Sequence, residues 1–342
     1  MKKNFKSGLI VLIVMLVVVT GLSVFSALGP GSKIRVTVKT KGPKTSEQST
    51  VKTSPDFDKK EAKSYKKDFI AALYIEGTIA EANNDYNQEW LMSTIQELKE
   101  DKHNSALAIF INSPGGTVYQ ADEVYLALQD YRTTGRPIYV YQGSMAASGG
   151  YYISCAADKI YANRNTLTGC IGVLMGTTFD LTGLFEGLGI KSETIHSGKN
   201  KNMMNYNEPF TDEQREIMQS MCDECYDQFV GIVAKSRGMQ FEKAQELSDG
   251  RLYTANQALE NGLIDHIDSW DNMLKDLSEN ELKKPGIKVN TYKYQKKSSF
   301  MDMMMGKAKE LSNAKAAATL GLPVSVIEDM NSQSMVPMYL YK

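Results

Sequence analysis

The sequence predicts an α/β domain with largely parallel strands, preceded by an N-terminal transmembrane helix. Short apolar strands alternate with amphipathic segments through the middle of the chain, and an apolar run of twenty residues, 9–28, lies near its start. Four cysteines among 342 residues are too few for a disulfide scaffold. The formal net charge of −1 gives no indication of nucleic-acid binding.

Residues 1–32 are predicted to form a single-pass membrane anchor. Lys2, Lys3 and Lys6 precede an uncharged stretch whose apolar part is long enough to span a hydrocarbon core. The alternative is a cleavable signal peptide, which normally has a shorter apolar region and an Ala-x-Ala site that is absent here. Basic residues after the span favour a cytoplasmic domain, but large domains translocate despite such charges, so the charge count leaves the topology open.

Three further segments are predicted after the anchor: a flexible polar linker at 33–67, a folded domain at 68–295, and a tail at 296–342 to which no task is assigned. Periodicity within the domain predicts both kinds of element. The predicted strands are 69–75, 106–111, 138–141, 159–162, 171–174 and 193–196. The predicted helices are 118–131, 150–157, 181–188 and 212–237.

Ser148 is the candidate nucleophile. It lies among small residues between the predicted strand 138–141 and the predicted helix 150–157. A tight strand-to-helix junction exposes a serine hydroxyl, and the start of a helix favours negative charge beside it. The sequence therefore indicates acyl transfer, which also needs donors for an oxyanion and a base.

Gly115 and Gly116 are candidate oxyanion donors. They follow the strand 106–111 and Pro114, and glycine lets a backbone N–H point into a site without an obstructing Cβ. Either one, together with the N–H of Gly149, would form the pair of donors that acyl transfer requires. The structural alternative is a βα turn that uses glycine for geometry alone.

The residues themselves do not decide which side chain is the general base. Among the three histidines, His196 is the plausible candidate for a Ser-His arrangement. Lys199 and Lys201 offer the other route. A free lysine has a pKa of about 10.4, which has to fall to about 7 before a neutral amine is common at physiological pH, and burial lowers a lysine pKa that far.

Several segments in order resemble signal peptide peptidases of the SppA type, in their single-domain, membrane-anchored branch. More distantly, the chain resembles the Clp protease proteolytic subunit and the crotonases. The resemblance covers about residues 68–270. The segments that carry it are 112–116, 143–152, 168–173, 197–201 and 249–265.

The resemblance implies a Clp protease/crotonase-like superhelix of β-β-α units. It also implies a Ser-Lys dyad that needs no cofactor or metal, with Ser148 as nucleophile and Lys201, rather than Lys199, as base. The implied protein is a homo-oligomer at the cell membrane with an extracytoplasmic active site. Its implied substrates are cleaved signal peptides and other hydrophobic peptides. Independently of the resemblance, we expect a peptide to bind extended against the predicted strand 171–174.

Cys170 departs from the family pattern, which has serine at this position. A hydroxyl there would help to hold the lysine amine, and a thiol is a weaker donor and acceptor. Thr168 is a possible replacement, or Cys170 packs as a small apolar group. Two other functions stay open: a crotonase-like acyl-CoA enzyme, which shares the glycine oxyanion donors, and an inactive membrane scaffold of the same fold, which Cys170 would suit.

Cys222 and Cys225 have CxxC spacing. They fall inside the predicted helix 212–237, whereas a redox or zinc role would need a βα junction or two further ligands. We interpret them as structural residues.

Overall fold

The computed structural model describes residues 67–296, Asn313 and Met338–Leu340. Every described residue belongs to one compact unit of the chain. The described strands are β1 Phe69–Glu76, β2 Asn104–Ser113, β3 Gly115–Thr117, β4 Ile138–Ala147, β5 Lys159–Ala162, β6 Leu167–Gly169, β7 Leu252–Thr254, β8 His266–Ile267, β9 Lys288–Lys293 and β10 Met338–Leu340. The described helices are α1 Gln88–Glu100, α2 Val118–Arg132, α3 Gly149–Ser154, α4 Thr182–Gly187, α5 Asp212–Arg237, α6 Phe241–Glu246, α7 Ala255–Glu260 and α8 Trp270–Lys275, and α8 continues into a π-helix at Asp276–Glu281.

The main sheet follows the order β7-β6-β4-β2-β1-β9, and every pairing except β6–β7 is parallel. The central strand β4 has two partners on one edge. Its first half, from Tyr139 to Gln142, pairs with β5, and its last three residues pair with β6. Gly169 consequently lies opposite Ala147, the residue before Ser148.

The parallel sheet is covered on both faces, as its nearly continuous apolar strands require. Leu73 and Ile109 lie in the larger core cluster, beneath α1, α2, α3 and α5. On the opposite face, Tyr139 and Tyr161 pack against Met273 of α8. Two covered faces fix the sheet rigidly, so the strand ends on which the site is built are held in place.

Most predicted elements are present. Strand 159–162 and helix 212–237 are confirmed with the bounds that the sequence predicted. The predicted strand at 193–196 is wrong: this stretch is irregular, and the side chain of Ile195 is 94% exposed. The predicted strand at 171–174 is also wrong, because Cys170 has a φ of 50° that turns the chain, and only Leu174 forms a bridge. The elements that were not predicted are helices α1, α6, α7 and α8 and strands β3, β6, β7, β8, β9 and β10.

The predicted anchor, 1–32, lies outside the described residues, as does the predicted linker apart from Lys67. Within the described part of the chain, no helix is long and apolar enough to cross a membrane. The predicted domain boundaries stay predictions.

Asp276 connects the start of the π-helix to β5. Its Oδ2 accepts hydrogen bonds of 2.8 Å from Lys159 Nζ and from the Tyr161 hydroxyl. Partial burial acts to raise the pKa of this carboxyl, but the hydrogen bonds from Lys159, Asn280 and Tyr161 outweigh it and hold the pKa well below its usual range.

We expect Asp276→Asn to destabilise the fold by about 1–2 kcal/mol at pH 7. Because the folded-state pKa is depressed, this stabilisation is complete above the unfolded value of about 4 and is lost as the pH falls below it. Thermal unfolding followed by circular dichroism at pH 7 and pH 3 tests this, with Glu260→Gln on the exposed surface of α7 as control. If the variant unfolds at a temperature equally far below that of the wild type at pH 7 and at pH 3, this expectation is contradicted.

Candidate active site

Ser148 lies at a sharp turn between the end of β4 and the start of α3. Its backbone has φ 52° and ψ −115°, a conformation that costs a non-glycine residue about 1–3 kcal/mol. Two backbone hydrogen bonds hold the turn: Ser148 N donates to Gly169 O at 2.7 Å, and Tyr152 N donates to Ser148 O at 2.8 Å. The strained turn fixes the direction of the serine side chain, as a nucleophile elbow does.

Ser148 is almost completely buried, with an exposed fraction of 1%. Within the described residues, its hydroxyl makes no hydrogen bond. Among residues 67–296 and the described residues of the tail, no base is hydrogen-bonded to the Ser148 hydroxyl.

The three candidate oxyanion glycines are brought together beside Ser148. A Cβ on Gly149 would lie 3.2 Å from Gly116 N and 3.3 Å from Gly115 Cα. The N–H of Gly115 donates to Ser113 Oγ at 3.1 Å, so its hydrogen is already used. This leaves the N–H groups of Gly116 and Gly149 as the pair of donors next to Ser148.

Ile79 orients the Gly116 peptide groups. Its N–H donates to Gly115 O at 2.8 Å, and its carbonyl accepts from Thr117 N at 2.9 Å. Alternate residues of a strand direct their N–H and C=O groups to opposite edges. Because Gly115 and Thr117 bond to Ile79, the N–H and C=O groups of Gly116 between them face away from Ile79. Only glycine fits here, because a Cβ on Gly116 would lie 1.7 Å from Ile79 O.

The free edge of β3 is occupied by β10, from the C-terminal tail. The two strands are antiparallel, with Tyr339 opposite Gly116. On its other side β10 pairs with Leu174. Leu174 N donates to Met338 O at 2.9 Å, and Met338 N donates to Leu174 O at 3.0 Å. The Tyr339 carbonyl oxygen lies 3.2 Å from the position of a Cβ on Gly149. Strand β10 is therefore an extended segment between β3 and Leu174, and its Tyr339 carbonyl lies at Gly116 and Gly149. This region adjoins 171–174, where the sequence analysis predicted that an extended peptide binds.

Thr168 and Cys170 flank Gly169, whose carbonyl accepts the hydrogen bond from Ser148 N. Thr168 is fully buried, and its hydroxyl donates to Ala146 O at 2.8 Å. Cys170 is half-buried, its N–H donates to Arg251 O at 2.8 Å, and burial raises the pKa of its thiol. At neutral pH Cys170 is consequently an uncharged thiol. Within the described residues, neither side chain hydrogen-bonds to a lysine.

The candidate bases lie on an exposed loop. Lys199 forms an ion pair with Glu213, and this hydrogen bond lowers the pKa of the Glu213 carboxyl. His196 is exposed, and its Nδ1 lies 3.1 Å from Gly198 O. Lys201 is exposed as well. Within the described residues none of the three contacts the Ser148 hydroxyl by a hydrogen bond, so their catalytic roles stay predictions.

The two tyrosines after Gly150 fix α3 in the core. Both are fully buried, and the Tyr151 hydroxyl donates to Leu263 O at 2.8 Å. This bond gives the segment 249–265 a structural task, because it ties the domain edge to the helix that carries the elbow. Tyr152 also stacks on Tyr339. Neither that contact nor the hydrogen bond from Gly115 N to Ser113 Oγ was predicted from the sequence.

Across residues 67–296 and the described residues of the tail, no group of three or more His, Cys, Asp and Glu side chains is placed to hold a metal ion.

Comparison with known proteins decides the family. The model of peptidase family S49 matches residues 130–285, which include Ser148 and Lys201. A putative signal peptide peptidase SppA of Enterococcus faecium is 34% identical over 280 residues, which cover 80% of this chain and 80% of that protein. The chain belongs to peptidase family S49, the SppA family. As a member of S49 it is a serine-type peptidase.

Other members of the family align over shorter spans. A putative protease of Synechocystis is 34% identical over 198 residues, which cover 58% of this S49 chain and 69% of that protein. Protease 4 of Haemophilus influenzae is 30% identical over 206 residues, which cover 59% of this chain and 33% of that protein. Among solved structures, a membrane-bound stomatin-specific protease is similar with a TM-score of 0.45 and 16% identity, covering 67% of this chain and 99% of that chain.

Proposed function

We propose that this S49 peptidase is a membrane-anchored serine endopeptidase that degrades remnant signal peptides and other hydrophobic peptides. Ser148 is the nucleophile and Lys201 the general base of a Ser-Lys dyad, on a Clp protease/crotonase-like superhelix. The observation that carries the proposal is β10, a peptide segment held extended between β3 and Leu174 with the Tyr339 carbonyl at the Gly116 and Gly149 pair.

In the proposed reaction, a substrate takes the place of β10 and Ser148 Oγ attacks its carbonyl carbon. Lys201 takes the serine proton and passes it to the leaving amine, and water then hydrolyses the acyl-enzyme with Lys201 as base again. The N–H groups of Gly116 and Gly149 hold the oxyanion, and each such donor contributes about 3–4 kcal/mol of transition-state stabilisation.

Lys201 is proposed to reach Ser148 of a neighbouring copy in a homo-oligomer. In one chain it is exposed, whereas a lysine base has to be shielded from water to be neutral. The surrounding surface is unusually apolar for a solvent-facing one, which supports burial against a second copy. The exposed apolar side chains near this loop are Phe179, Leu184, Leu188, Ile190 and Ile195.

The proposed location is the cell membrane, with one transmembrane span and the catalytic domain outside the cytoplasm. The apolar run at 9–28 supports the span. The similarity to signal peptide peptidases supports the orientation, because cleaved signal peptides remain in the membrane. The basic residues after the span favour the opposite orientation, with the domain in the cytoplasm.

An acylating probe, such as a β-lactone, distinguishes the peptidase from an acyl-CoA enzyme and from an inactive scaffold of this fold. We expect the probe to label Ser148 in the wild-type chain and in Ser144→Ala, but not in Ser148→Ala, as read by peptide mass spectrometry. We also expect no heat of binding when coenzyme A is titrated into the protein. Labelling that survives in Ser148→Ala, or tight binding of coenzyme A, would contradict the proposal.

A further inference from the structure

Asn202 is a buried polar residue on an otherwise exposed loop, directly after the proposed base. The loop, residues 196–207, is called the lysine loop below. Asn202 is 8% exposed, whereas Lys199 and Lys201 are exposed. A buried amide loses its hydrogen bonds to water, so both its nitrogen and its oxygen need partners that the fold supplies.

Both ends of the Asn202 side chain are bonded to other asparagines. Its Nδ2 donates to Asn207 Oδ1 at 3.3 Å, and its Oδ1 accepts from Asn205 Nδ2 at 2.8 Å. The Asn205 N–H also donates to the Asn202 carbonyl at 3.2 Å. Asn202 is therefore the middle member of a row of three side-chain amides, which we call the asparagine network.

The asparagine network continues into the segment before the lysine loop. Asn207 Nδ2 donates to Thr194 Oγ1 at 2.9 Å and to Ser192 Oγ at 3.2 Å. The same end of the loop is also held through its backbone, because Leu181 N donates to Tyr206 O at 2.9 Å. A polar network whose members are satisfied rigidifies the segments that it joins. The lysine loop is thus fixed to two preceding segments of the chain.

The attachment on the other side of Lys201 is weaker. Asn200 Nδ2 donates to Glu213 Oε1 at 3.5 Å, and Lys199 forms an ion pair with the same carboxylate. Lys199 and Glu213 are both exposed, and exposed ion pairs hold a side chain only loosely because water and salt screen them. The buried attachment next to Lys201 is consequently the one made by Asn202.

A general base has to be held at one distance and angle from the group that it deprotonates. Within the described residues, the Lys201 ammonium makes no hydrogen bond or ion pair, so its position depends on the backbone that carries it. In the proposed oligomer, Ser148 belongs to a neighbouring copy. The alignment of the two groups then depends on how firmly each copy holds its own part.

We propose that Asn202 is the positioning residue for the catalytic lysine: through the asparagine network it fixes the backbone of Lys201 so that the amine reaches Ser148. The inference rests on the proposed function. Asparagine suits this task because one side chain offers both a donor and an acceptor, whereas an aspartate offers only acceptors and an alanine offers neither.

Asn202→Ala tests this against Asn200→Ala. The two asparagines flank Lys201, but only Asn202 belongs to the network. We expect Asn202→Ala to lower kcat by about 10- to 100-fold, because a base displaced by about 1 Å costs up to about 100-fold. KM should stay within about twofold, because the base contacts the nucleophile rather than the peptide. Asn200→Ala should leave both constants within a few-fold. Initial rates with a fluorogenic hydrophobic peptide give kcat and KM.

Combining the change with Lys201→Met shows whether Asn202 acts through the lysine. The substrate here is an activated ester, whose residual hydrolysis is measurable without the base because the Gly116 and Gly149 donors remain. In the Lys201→Met background we expect Asn202→Ala to change the residual rate by less than about twofold, because residues that act as one unit are not additive. A loss as large as in the otherwise wild-type chain would mean that Asn202 only stabilises the fold, and would overturn the inference.

Asn207→Ala keeps the test decisive if the unfolding temperature shows that Asn202→Ala does not fold. It breaks the network at the residue farther along the chain from Lys201, and should lower kcat by about 3- to 10-fold with KM unchanged. If Lys201→Met is inactive and neither network variant lowers kcat more than Asn200→Ala does, the inference fails and the dyad stands. Full turnover in Lys201→Met would instead remove the proposed base, and this inference with it.

Discussion

Replacing Ser148 with alanine is expected to lower kcat/KM on a hydrophobic peptide by about 10³- to 10⁶-fold. The change removes the proposed nucleophile and leaves the Gly116 and Gly149 donors in place, so the substrate still binds but no acyl-enzyme forms. The Ser148 hydroxyl makes no hydrogen bond within the described residues, so the fold should lose little stability. Initial rates with a fluorogenic peptide, together with the unfolding temperature of each protein, measure both effects.

Ser144→Ala is the matched control. Ser144 lies on the same strand, is exposed, and donates from its Oγ to Asn112 Oδ1 at 2.7 Å. Loss of one such bond is worth about 1 kcal/mol, so we expect a change of less than about tenfold in kcat/KM. Near wild-type turnover in Ser148→Ala, or an equal loss in both variants, would remove Ser148 as the nucleophile.

The elements that the sequence predicted best are those with local signals at both ends. Helix α5 begins after Thr211, which forms a capping box with Gln214, and ends at Gly238, which has a φ of 62°. Both signals are present in the sequence within one turn of the helix end. The elbow at Ser148 was predictable for the same reason, because the strand, the small residues and the helix that form it are consecutive.

The elements that the sequence predicted poorly depend on distant partners. The alternation at 193–196 suits a strand, but a strand also needs a neighbour to pair with, and the described structure offers none there. Strand β10 is too short and too far along the chain from Gly116 for any local pattern to indicate their pairing. The packing of Tyr339 against Tyr152 and Phe229 was missed with it, because these two rings lie on helices that meet only in the fold.

Replacing Lys201 with methionine is expected to lower kcat/KM by about 10²- to 10⁴-fold, the usual contribution of a general base. Lys199→Met is the matched control, because Lys199 lies two residues away on the same exposed loop and pairs with Glu213. We expect that control to retain activity within a few-fold. Loss of turnover in His196→Ala with near wild-type turnover in Lys201→Met would show that the base is the histidine.

Mixing the two inactive chains shows whether Lys201 acts on a neighbouring copy. Co-expression of Ser148→Ala with Lys201→Met, in equal amounts, should restore activity, because sites then form between an intact serine of one copy and an intact lysine of the next. With random assembly about one-quarter of the sites are complete if the residues come from different copies. If both residues come from one chain, every site lacks one of them and the mixture stays inactive, which would exclude the shared site proposed for the exposed lysine.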